Sequence, residues 1–194
     1  MTYALVKDAD TGEQVLKITS KKATGVLLRE LAVNFEEYPW IRWRWKAGLL
    51  PSGADARVKS KDDQGIALYI GYGTFRQKSI SYTWETMTPK NATGKSVYNG
   101  LVTVFWTCLR NQDDPKDTWV VEQRNVLEDL KKYLGKYPSD LALSISCNSQ
   151  YTGTNAVVYL DYIEFRKAPL QEDEKDVAEK TTEESSASES EAGK

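Results

Sequence analysis

Residues 40–46 read WIRWRWK and decide the fold class of this chain. Bulky apolar side chains alternate with charged ones, which is the period of a β-strand. In an extended strand Ile41, Trp43 and Trp45 share one face, and Arg42 and Arg44 lie on the other. We therefore predict a strand that buries two tryptophans in a core and presents cations on the outer face of a sheet.

The same alternation recurs along most of the chain. It predicts strands over residues 3–7, 14–19, 25–33, 40–47, 66–72, 78–85, 100–109, 118–124, 140–147 and 156–166. Many short strands separated by polar turns are typical of a sandwich or barrel. The predicted fold class is all-β, an antiparallel, jelly-roll-like β-sandwich.

One segment has the spacing of an amphipathic helix instead. Its apolar residues fall on a single helical face, at Val126, Leu127, Leu130, Tyr133 and Leu134. Asn125 stands at the N-cap position, and Glu128 three residues later completes a capping-box pattern. We predict one short surface helix over residues 126–134 that covers an end of the sandwich.

The composition limits the possible chemistry. The 194 residues include no histidine, which excludes Ser-His-Asp and Cys-His triads, histidine zinc sites and histidine general bases. The two cysteines, Cys108 and Cys147, form no C-x-x-C pair, and they fit either two thiols or one disulfide. Carboxylate, tyrosine, lysine or arginine chemistry remains, or a function without catalysis.

Charge divides the chain into two regions. Residues 169–194 hold nine acidic residues, three lysines and few large apolar residues, so they cannot offset the entropy cost of ordering. We predict a single β-sandwich domain over residues 1–168 and a disordered acidic tail over 169–194. The small positive charge left on the domain argues against a nucleic-acid partner. No apolar run approaches the ~18 residues of a membrane span, and the first residues lack the apolar core of a signal peptide.

The outer faces of three predicted strands supply the candidate binding residues. Guanidinium groups bind carboxylates, and aromatic rings stack on sugars, so the cationic face of residues 40–46 suits an anionic or polyhydroxylated ligand. It fits equally a face whose cations are solvated or paired with carboxylates. If the large apolar residues of 66–72 and 78–85 are core, their other face collects Tyr69, Ser81, Thr83 and Glu85. The candidate ligand-binding residues are Trp40, Arg42, Arg44, Tyr69 and Glu85.

Several further short motifs follow one another in a recognisable order. They include residues 39–45, Gly53-Ala54-Asp55, Lys61-Asp62-Asp63, residues 80–84 and residues 159–165. This succession, across residues 2–167, resembles the bacterial domain-of-unknown-function family 3047. The positions that match the family pattern are Asp55, Asp62, Asp63, Trp84, Trp119, Glu122, Arg124, Asp129 and Asp161.

The resemblance implies a jelly-roll-like fold similar to that of carbohydrate-binding modules, and an exported or periplasmic location, although this chain begins without a signal peptide. The family pattern has an aromatic residue and an arginine where Gln64 and Ala67 stand, and an acidic run where residues 146–151 stand. A site built on those positions in relatives is altered or absent here. In the modules, an aspartate placed like Asp161 helps to hold structural calcium. Because calcium needs six to eight oxygens, we expect Asp161 to be an outward strand residue or an arginine partner, and we predict no cofactor.

Two classes of function remain. The first is a non-catalytic binding or structural domain, whose partner is a glycan or a component of an envelope or other protein complex. The alternative is a carbohydrate-active lyase or hydrolase that uses carboxylate, tyrosine and arginine groups. A glycosidase needs two carboxyl groups roughly 5–9 Å apart, and the strand-associated candidates are Asp62, Asp63, Glu85, Glu122, Asp161 and Glu164.

Overall fold

The computed structural model describes residues 1–171, so all but the first three residues of the predicted acidic tail lie outside the described part. The elements are β1 (Thr2–Lys7), β2 (Gln14–Lys21), β3 (Thr24–Leu31), β4 (Trp40–Leu49), a 3-10 turn (Lys59–Lys61), β5 (Ile66–Tyr72), β6 (Gln77–Trp84), β7 (Thr93–Tyr98), β8 (Val102–Arg110), β9 (Val120–Asn125), α1 (Val126–Leu134), β10 (Leu141–Asn148) and β11 (Asn155–Arg166).

The strands form two sheets, which confirms the predicted β-sandwich. A five-stranded sheet has the order β1-β2-β11-β4-β9, and a six-stranded sheet has the order β3-β10-β5-β6-β8-β7. All neighbouring strands are antiparallel except β6 and β8. The exception arises from β7, a strand that the sequence pattern did not predict. The chain crosses from β6 to β7 at the sheet edge and returns as β8 between them, so β8 runs parallel to β6.

The tryptophans of β4 lie at the centre of the core, as the alternation predicted. Trp43 and Trp45 are fully buried, and their rings meet edge to face at 5.3 Å. Trp43 also stacks on Tyr82 of the opposite sheet, with the ring centroids 5.3 Å apart. The two sheets are therefore joined by aromatic contacts, and the outer faces of both are left for other side chains.

The predicted helix is present with the predicted bounds. The Asn125 side chain accepts a hydrogen bond from the Glu128 amide at 3.2 Å and donates one to the Glu128 carboxylate at 2.8 Å. Val126 and Leu130 are fully buried. Asp129 accepts a hydrogen bond from the Tyr82 hydroxyl at 2.7 Å, which ties the helix to β6.

Two further observations concern membrane spans and cysteines in the described residues. Within residues 1–171, no helix is both long and apolar enough to cross a membrane. Cys108 and Cys147 are both buried, and neither forms a disulfide in this part of the chain. Burial raises the pKa of each thiol to about 12, so both stay protonated at neutral pH.

Candidate functional site

The structure divides the five predicted ligand-binding residues between two distant surfaces. Trp40, Arg42 and Arg44 lie on the outer face of the five-stranded sheet, because Trp43 and Trp45 point inward. Tyr69 and Glu85 lie on the outer side of the six-stranded sheet, because Ile66, Leu68 and Trp84 point inward. Both sheets and the core separate the two groups, so Arg42, Arg44 and Tyr69 do not converge on one site.

On the five-stranded sheet, each cation of β4 has a carboxylate partner. Arg42 contacts Glu164 at 3.3 Å, and Arg44 contacts Asp161 at 3.4 Å. The Lys46 ammonium donates to Asp8 at 2.6 Å and to Asp10 at 3.4 Å. We call this surface the ionic face. Its arrangement is the carboxylate-paired alternative considered for residues 40–46.

Aromatic rings hold the same cations in place. The Arg42 guanidinium lies 5.3 Å from the centre of the Tyr162 ring, and that of Arg44 lies 5.1 Å from Trp119. Lys46 lies between Trp119 and Tyr159, at 4.7 and 5.1 Å. Such stacking stabilises a cation at the surface of a sheet. An anionic ligand would have to displace both the carboxylates and the stacking, so the ionic face fits a structural role.

The electrostatics of the buried end of this face are consistent with that role. Burial alone would raise the pKa of Asp8, but hydrogen bonds from Lys46 and Trp119 hold it well below its usual range. Asp161 pairs with an arginine, as expected for a strand residue. Among residues 1–171, no three acidic or cysteine side chains gather in a way that would hold a metal ion.

The outer face of the six-stranded sheet has a different character. The register places Tyr69 of β5 opposite Ser81 of β6, and Ser81 beside Trp106 of β8. We call these three side chains the Tyr69–Trp106 row. The Trp106 ring lies directly against Gly94 of β7, where an added Cβ would come within 2.1 Å of the ring. A larger residue at position 94 would therefore displace the indole.

Two polar atoms of this row are buried and unpaired. The Ser81 hydroxyl and the Trp106 indole N–H have no hydrogen-bond partner within residues 1–171. Ser81 is 1% exposed and Trp106 is 7% exposed, whereas Tyr69 is partly accessible. A buried polar group without a partner costs about 1–3 kcal/mol, so two in neighbouring positions call for an explanation.

Two carboxyl groups lie near the row. Asp62 accepts hydrogen bonds from the Tyr98 hydroxyl, from Gln64 at 2.6 Å and from Ser96 at 3.3 Å. Burial raises its pKa above the usual range. The hydrogen-bond partners of Asp62 and Glu85 are neutral groups, and no cation of the described residues contacts either carboxyl.

Glu85 is the more deeply buried of the two. It accepts from Thr83 at 2.7 Å, from Thr88, and from the Ala56 amide at 3.1 Å. Burial raises its pKa to about 7, and Asp62 adds a smaller repulsion. Burial is the main cause of the raised pKa of the Tyr69 hydroxyl, and the negative charges of Asp62 and Glu85 raise this pKa further. Both acids therefore lie close enough to Tyr69 to interact with its hydroxyl electrostatically.

Residues 50–65, the connection from β4 to β5, fold over this side of the sheet. Asp55 forms two hydrogen bonds with the Arg57 guanidinium, at 2.7 and 2.8 Å. Ala56 packs with Trp106 and Val104 in a small second apolar cluster. Asp63 accepts from the amides of Tyr151 and Thr152, which fastens the loop to the turn between β10 and β11.

Comparison with known proteins places the chain in a family. The sequence profile of a protein family of unknown function, DUF3047, matches residues 1–164. The chain belongs to DUF3047. No curated protein matches it in sequence.

Two solved structures are similar in arrangement. One is a thermostable cellulase derived from the Cel12A cellulase of Rhodothermus marinus, with a TM-score of 0.40, 10% identity, and coverage of 82% of this chain and 75% of that one. The other is the endo-1,4-β-glucanase CelB2, with a TM-score of 0.37, 12% identity, and coverage of 70% and 65%.

The positions through which the chain resembled DUF3047 fall into two groups. Asp55, Asp62 and Asp63 build the loop over the Tyr69–Trp106 row. The others hold the fold. Trp84 lies in the core, and its indole N–H donates to the Asn111 carbonyl at 3.1 Å. Glu122 pairs with Arg110 at 2.6 Å, and Arg124 pairs with Asp129 at 3.0 Å. The remaining two residues, Trp119 and Asp161, lie in the ionic face.

Sequence reasoning did not single out Trp106 or Tyr98. Tyr98 lies on β7, a strand of two small residues, one lysine and few apolar positions, which the alternation did not reveal. Trp106 lies in a predicted strand, β8, whose two faces are both apolar. Apolar residues on both faces are expected of a strand that is covered on both sides, so this pattern could have indicated that Trp106 is buried.

Proposed function

We propose that this domain binds a glycan at the Tyr69–Trp106 row. The observation that carries the proposal is the pair of buried, unpaired polar atoms, the Ser81 hydroxyl and the Trp106 indole N–H. Sugar hydroxyls both donate and accept hydrogen bonds, so one sugar rim would satisfy both atoms once the loop of residues 50–65, whose Ala56 packs with Trp106, moves aside to admit it. The gain in binding free energy is large because the free protein is destabilised by leaving these two atoms unpaired.

The surroundings of the row support a sugar over other ligands. The partly exposed Tyr69 ring offers an apolar surface for the C–H face of a pyranose, while hydroxyls of Ser144 and Ser79 lie on the same sheet face. A ligand that is apolar on its faces and polar on its rim matches such a surface.

The charge near the row favours an uncharged glycan. Asp62 and Glu85 contact no cation in the described residues, so an anionic sugar would meet their repulsion, which Arg57 offsets only in part through its longer-range interaction with Glu85. Uronates and sulfated sugars are therefore expected to bind less tightly than neutral hexose or pentose oligosaccharides of the same length.

The proposal is tested with an array of neutral, uronate and sulfated oligosaccharides, followed by calorimetric titration of the best neutral ligand. Tyr69→Ala is expected to weaken that ligand at least tenfold. Tyr162→Ala, on the ionic face, is the matched control and should bind as the parent does. A chain that binds no neutral glycan, or that loses binding equally in both variants, would overturn the proposal.

Ser81→Ala separates a binding role from a structural one. It removes a buried hydroxyl that has no partner within residues 1–171, so the free protein should melt at the same temperature as the parent or above it. The bound sugar loses one hydrogen bond of about 0.5–1.5 kcal/mol, which corresponds to roughly a 2- to 12-fold weaker affinity. Lower stability with unchanged affinity would contradict the assignment of Ser81.

A second candidate function is hydrolysis or elimination at the same row. The supporting observation is that Asp62 and Glu85 both have raised pKa values, so Glu85 is half protonated near neutral pH. A proton donor of this kind is what glycoside cleavage requires. Binding is preferred because neutral donors already hold both carboxyl groups. Glu85 accepts from Thr83, Thr88 and the Ala56 amide, and Asp62 accepts from Tyr98, Gln64 and Ser96, so neither is free to act on a glycosidic oxygen.

The two candidates are distinguished by turnover. Glycans retained by the array are incubated with the chain, and new reducing ends and new double bonds are measured. Binding alone predicts neither product. Product formation that Asp62→Asn or Glu85→Gln abolishes would replace the binding proposal with the catalytic one.

A further inference from the structure

Strand β3 is an unusually apolar and open edge of the six-stranded sheet. It pairs with β10 on one side, and no other strand of the described chain pairs with it on the other. Val26, Leu27 and Leu28 are 55%, 38% and 67% exposed. Because successive strand residues point to opposite faces, these three expose apolar surface on both sides of the strand.

Exposed edges are normally protected by charges, prolines or covering segments. Two of the other three edges of the described sandwich, β9 and β7, have such features. On β9, the segment after β11 covers the strand, since Gln123 is hydrogen-bonded to both backbone groups of Leu170. On β7, Lys95 lies mid-strand. On β1, Leu5 is the one exposed large apolar residue. Strand β3 also carries Arg29 and Glu30, but among the edges formed by residues 1–171 it alone presents three consecutive exposed apolar residues.

We propose that two copies of this chain associate by antiparallel pairing of β3 with β3. When the two-fold axis passes between the Leu27 residues of the two copies, Leu27 lies opposite Leu27 and Val26 lies opposite Leu28. All three exposed apolar residues then meet apolar residues. Arg29 faces Gly25 and Glu30 faces Thr24, so no like charges meet across the axis.

Neighbouring registers are less favourable. Centring the axis on Leu28 sets Val26 against Glu30 and Leu27 against Arg29, which buries apolar groups against charged ones. Centring it on Arg29 sets two arginines against each other, which is destabilising. Registers that set Val26 opposite Leu27 pair residues from opposite faces of the sheet. They bring the outer face of one sheet into line with the inner face of the other, so the joined sheet loses its continuous outer face.

The geometry of the Leu27-centred pairing has a structural consequence. Six strands from each copy become one twelve-stranded sheet, and the axis is perpendicular to it. Both Tyr69–Trp106 rows then lie on the same side of the joined sheet. One strand edge is a small contact, below the size of obligate interfaces, so we expect a dissociation constant in the micromolar range or weaker.

Sedimentation velocity of the full chain, from micromolar to submillimolar concentration, tests the association. The parent should shift from monomer to dimer across that range. Leu28→Lys should weaken the dimer at least tenfold, because it places a charge opposite Val26. Leu5→Lys is the matched control, since Leu5 is 70% exposed on the edge of the other sheet, and its dimer should equal the parent's. Melting curves of both variants show that they are folded.

Cross-linking tests the register. Residues directly opposite in an antiparallel pair have Cβ atoms about 4.5–5.5 Å apart, close to the range for a disulfide. Leu27→Cys should therefore form a disulfide-linked dimer under mild oxidation, and Thr24→Cys should not. A chain that stays monomeric throughout, equal weakening by Leu5→Lys, or cross-linking through position 24 and not 27 would overturn the proposal.

Discussion

Glu85 is the residue at which pH and stability are most directly linked. Burial raises its pKa from 4.5 to about 7, so the folded protein favours the protonated form. The resulting stability is fully present below pH 4.5 and is lost as the pH rises through 7. At about 1.36 kcal/mol for each pKa unit, the shift corresponds to on the order of 3 kcal/mol. We predict that the parent melts at a clearly lower temperature at pH 8 than at pH 5.

Glu85→Gln should remove most of that pH dependence, because glutamine is neutral throughout. Its melting temperature at pH 8 should equal or exceed the parent's. Asp8 does not interfere, since its lowered pKa affects stability only in the acid range, where protonation destabilises the fold. The exposed Glu13→Gln is the control and should keep the parent's profile. A flat profile for the parent would show that Glu85 is not buried as described.

Trp43 is the residue on which the sandwich core depends most. It is fully buried, stacks on Tyr82 and meets Trp45 edge to face. We predict that Trp43→Ala lowers the free energy of unfolding by ~3–5 kcal/mol, through lost transfer energy and a cavity. Denaturant titration measures the change. Phe75→Ala, at a position 76% exposed, should be nearly silent; a Trp43→Ala variant as stable as the parent would contradict the placement of β4.

At the scale of the elements, strand β4 binds the five-stranded sheet together through two arginines that are not equivalent. Glu164 contacts both Arg42 and Arg166, so it keeps a cation when Arg42 is changed. Within the described residues, Asp161 has Arg44 as its one paired cation, and burial already raises the pKa of Asp161. The two substitutions should therefore differ in cost.

We predict that Arg44→Gln destabilises the domain by about 1–3 kcal/mol, because it strands a half-buried carboxylate. Arg42→Gln should cost no more than about 1 kcal/mol, as for a partly exposed pair with a spare partner. Chemical denaturation of both variants at neutral pH measures the difference. Equal costs, or a larger cost for Arg42→Gln, would show that Arg166 does not compensate.

Elements defined by local pattern were predictable from the sequence. The alternation in residues 40–46 and the cap at Asn125 act on neighbouring residues, so β4 and α1 could be assigned without knowledge of the fold. Strand β7 could not, because its residues TGKSVY have little apolar periodicity and are held by pairing with β8. Its stability comes from the sheet and not from its own sequence.

The candidate site depends on contacts that no local pattern encodes. Tyr69, Ser81 and Glu85 could be placed on one face from strand periodicity alone. Trp106 joins them only because β8 inserts beside β6 in a parallel register. Asp62 joins them because the loop of residues 50–65 folds back over the sheet. The pairing of Arg42 and Arg44 with Glu164 and Asp161 likewise required the register of β4 against β11.

At the scale of the whole molecule, the two outer faces have opposite characters. On the ionic face, cations and carboxylates pair with one another and are stacked on aromatic rings. Around the Tyr69–Trp106 row, polar atoms are left unpaired and two acids have no contacting cation among residues 1–171. The Nε atoms of Arg42 and Arg44 on the ionic face also lack a hydrogen-bond partner in the described chain, but the charges of both guanidinium groups are paired with carboxylates. The Ser81 hydroxyl and the Trp106 N–H are the sole hydrogen-bonding groups of their side chains, so a ligand would explain them better.

Pairing through β3 would give the two rows of a dimer a common ligand surface. A polysaccharide long enough to reach both rows would then bind the second one as an intramolecular event, which can increase avidity by ~10²–10⁴ without any new contact. A short oligosaccharide occupies one row and gains nothing from the dimer. We predict that the parent binds the polymer much more tightly than the oligosaccharide of the same sugar.

Leu27→Lys distinguishes this explanation from a longer single site. The side chain of Leu27 points to the face opposite the row, so the substitution should break the dimer and leave each row unchanged. Its affinity for the oligosaccharide should equal the parent's, while its affinity for the polymer falls toward that of the oligosaccharide. Affinity electrophoresis with the polymer and calorimetry with the oligosaccharide give the two values. If Leu27→Lys keeps the parent's preference for the polymer, the preference arises within one copy, and the two rows act independently.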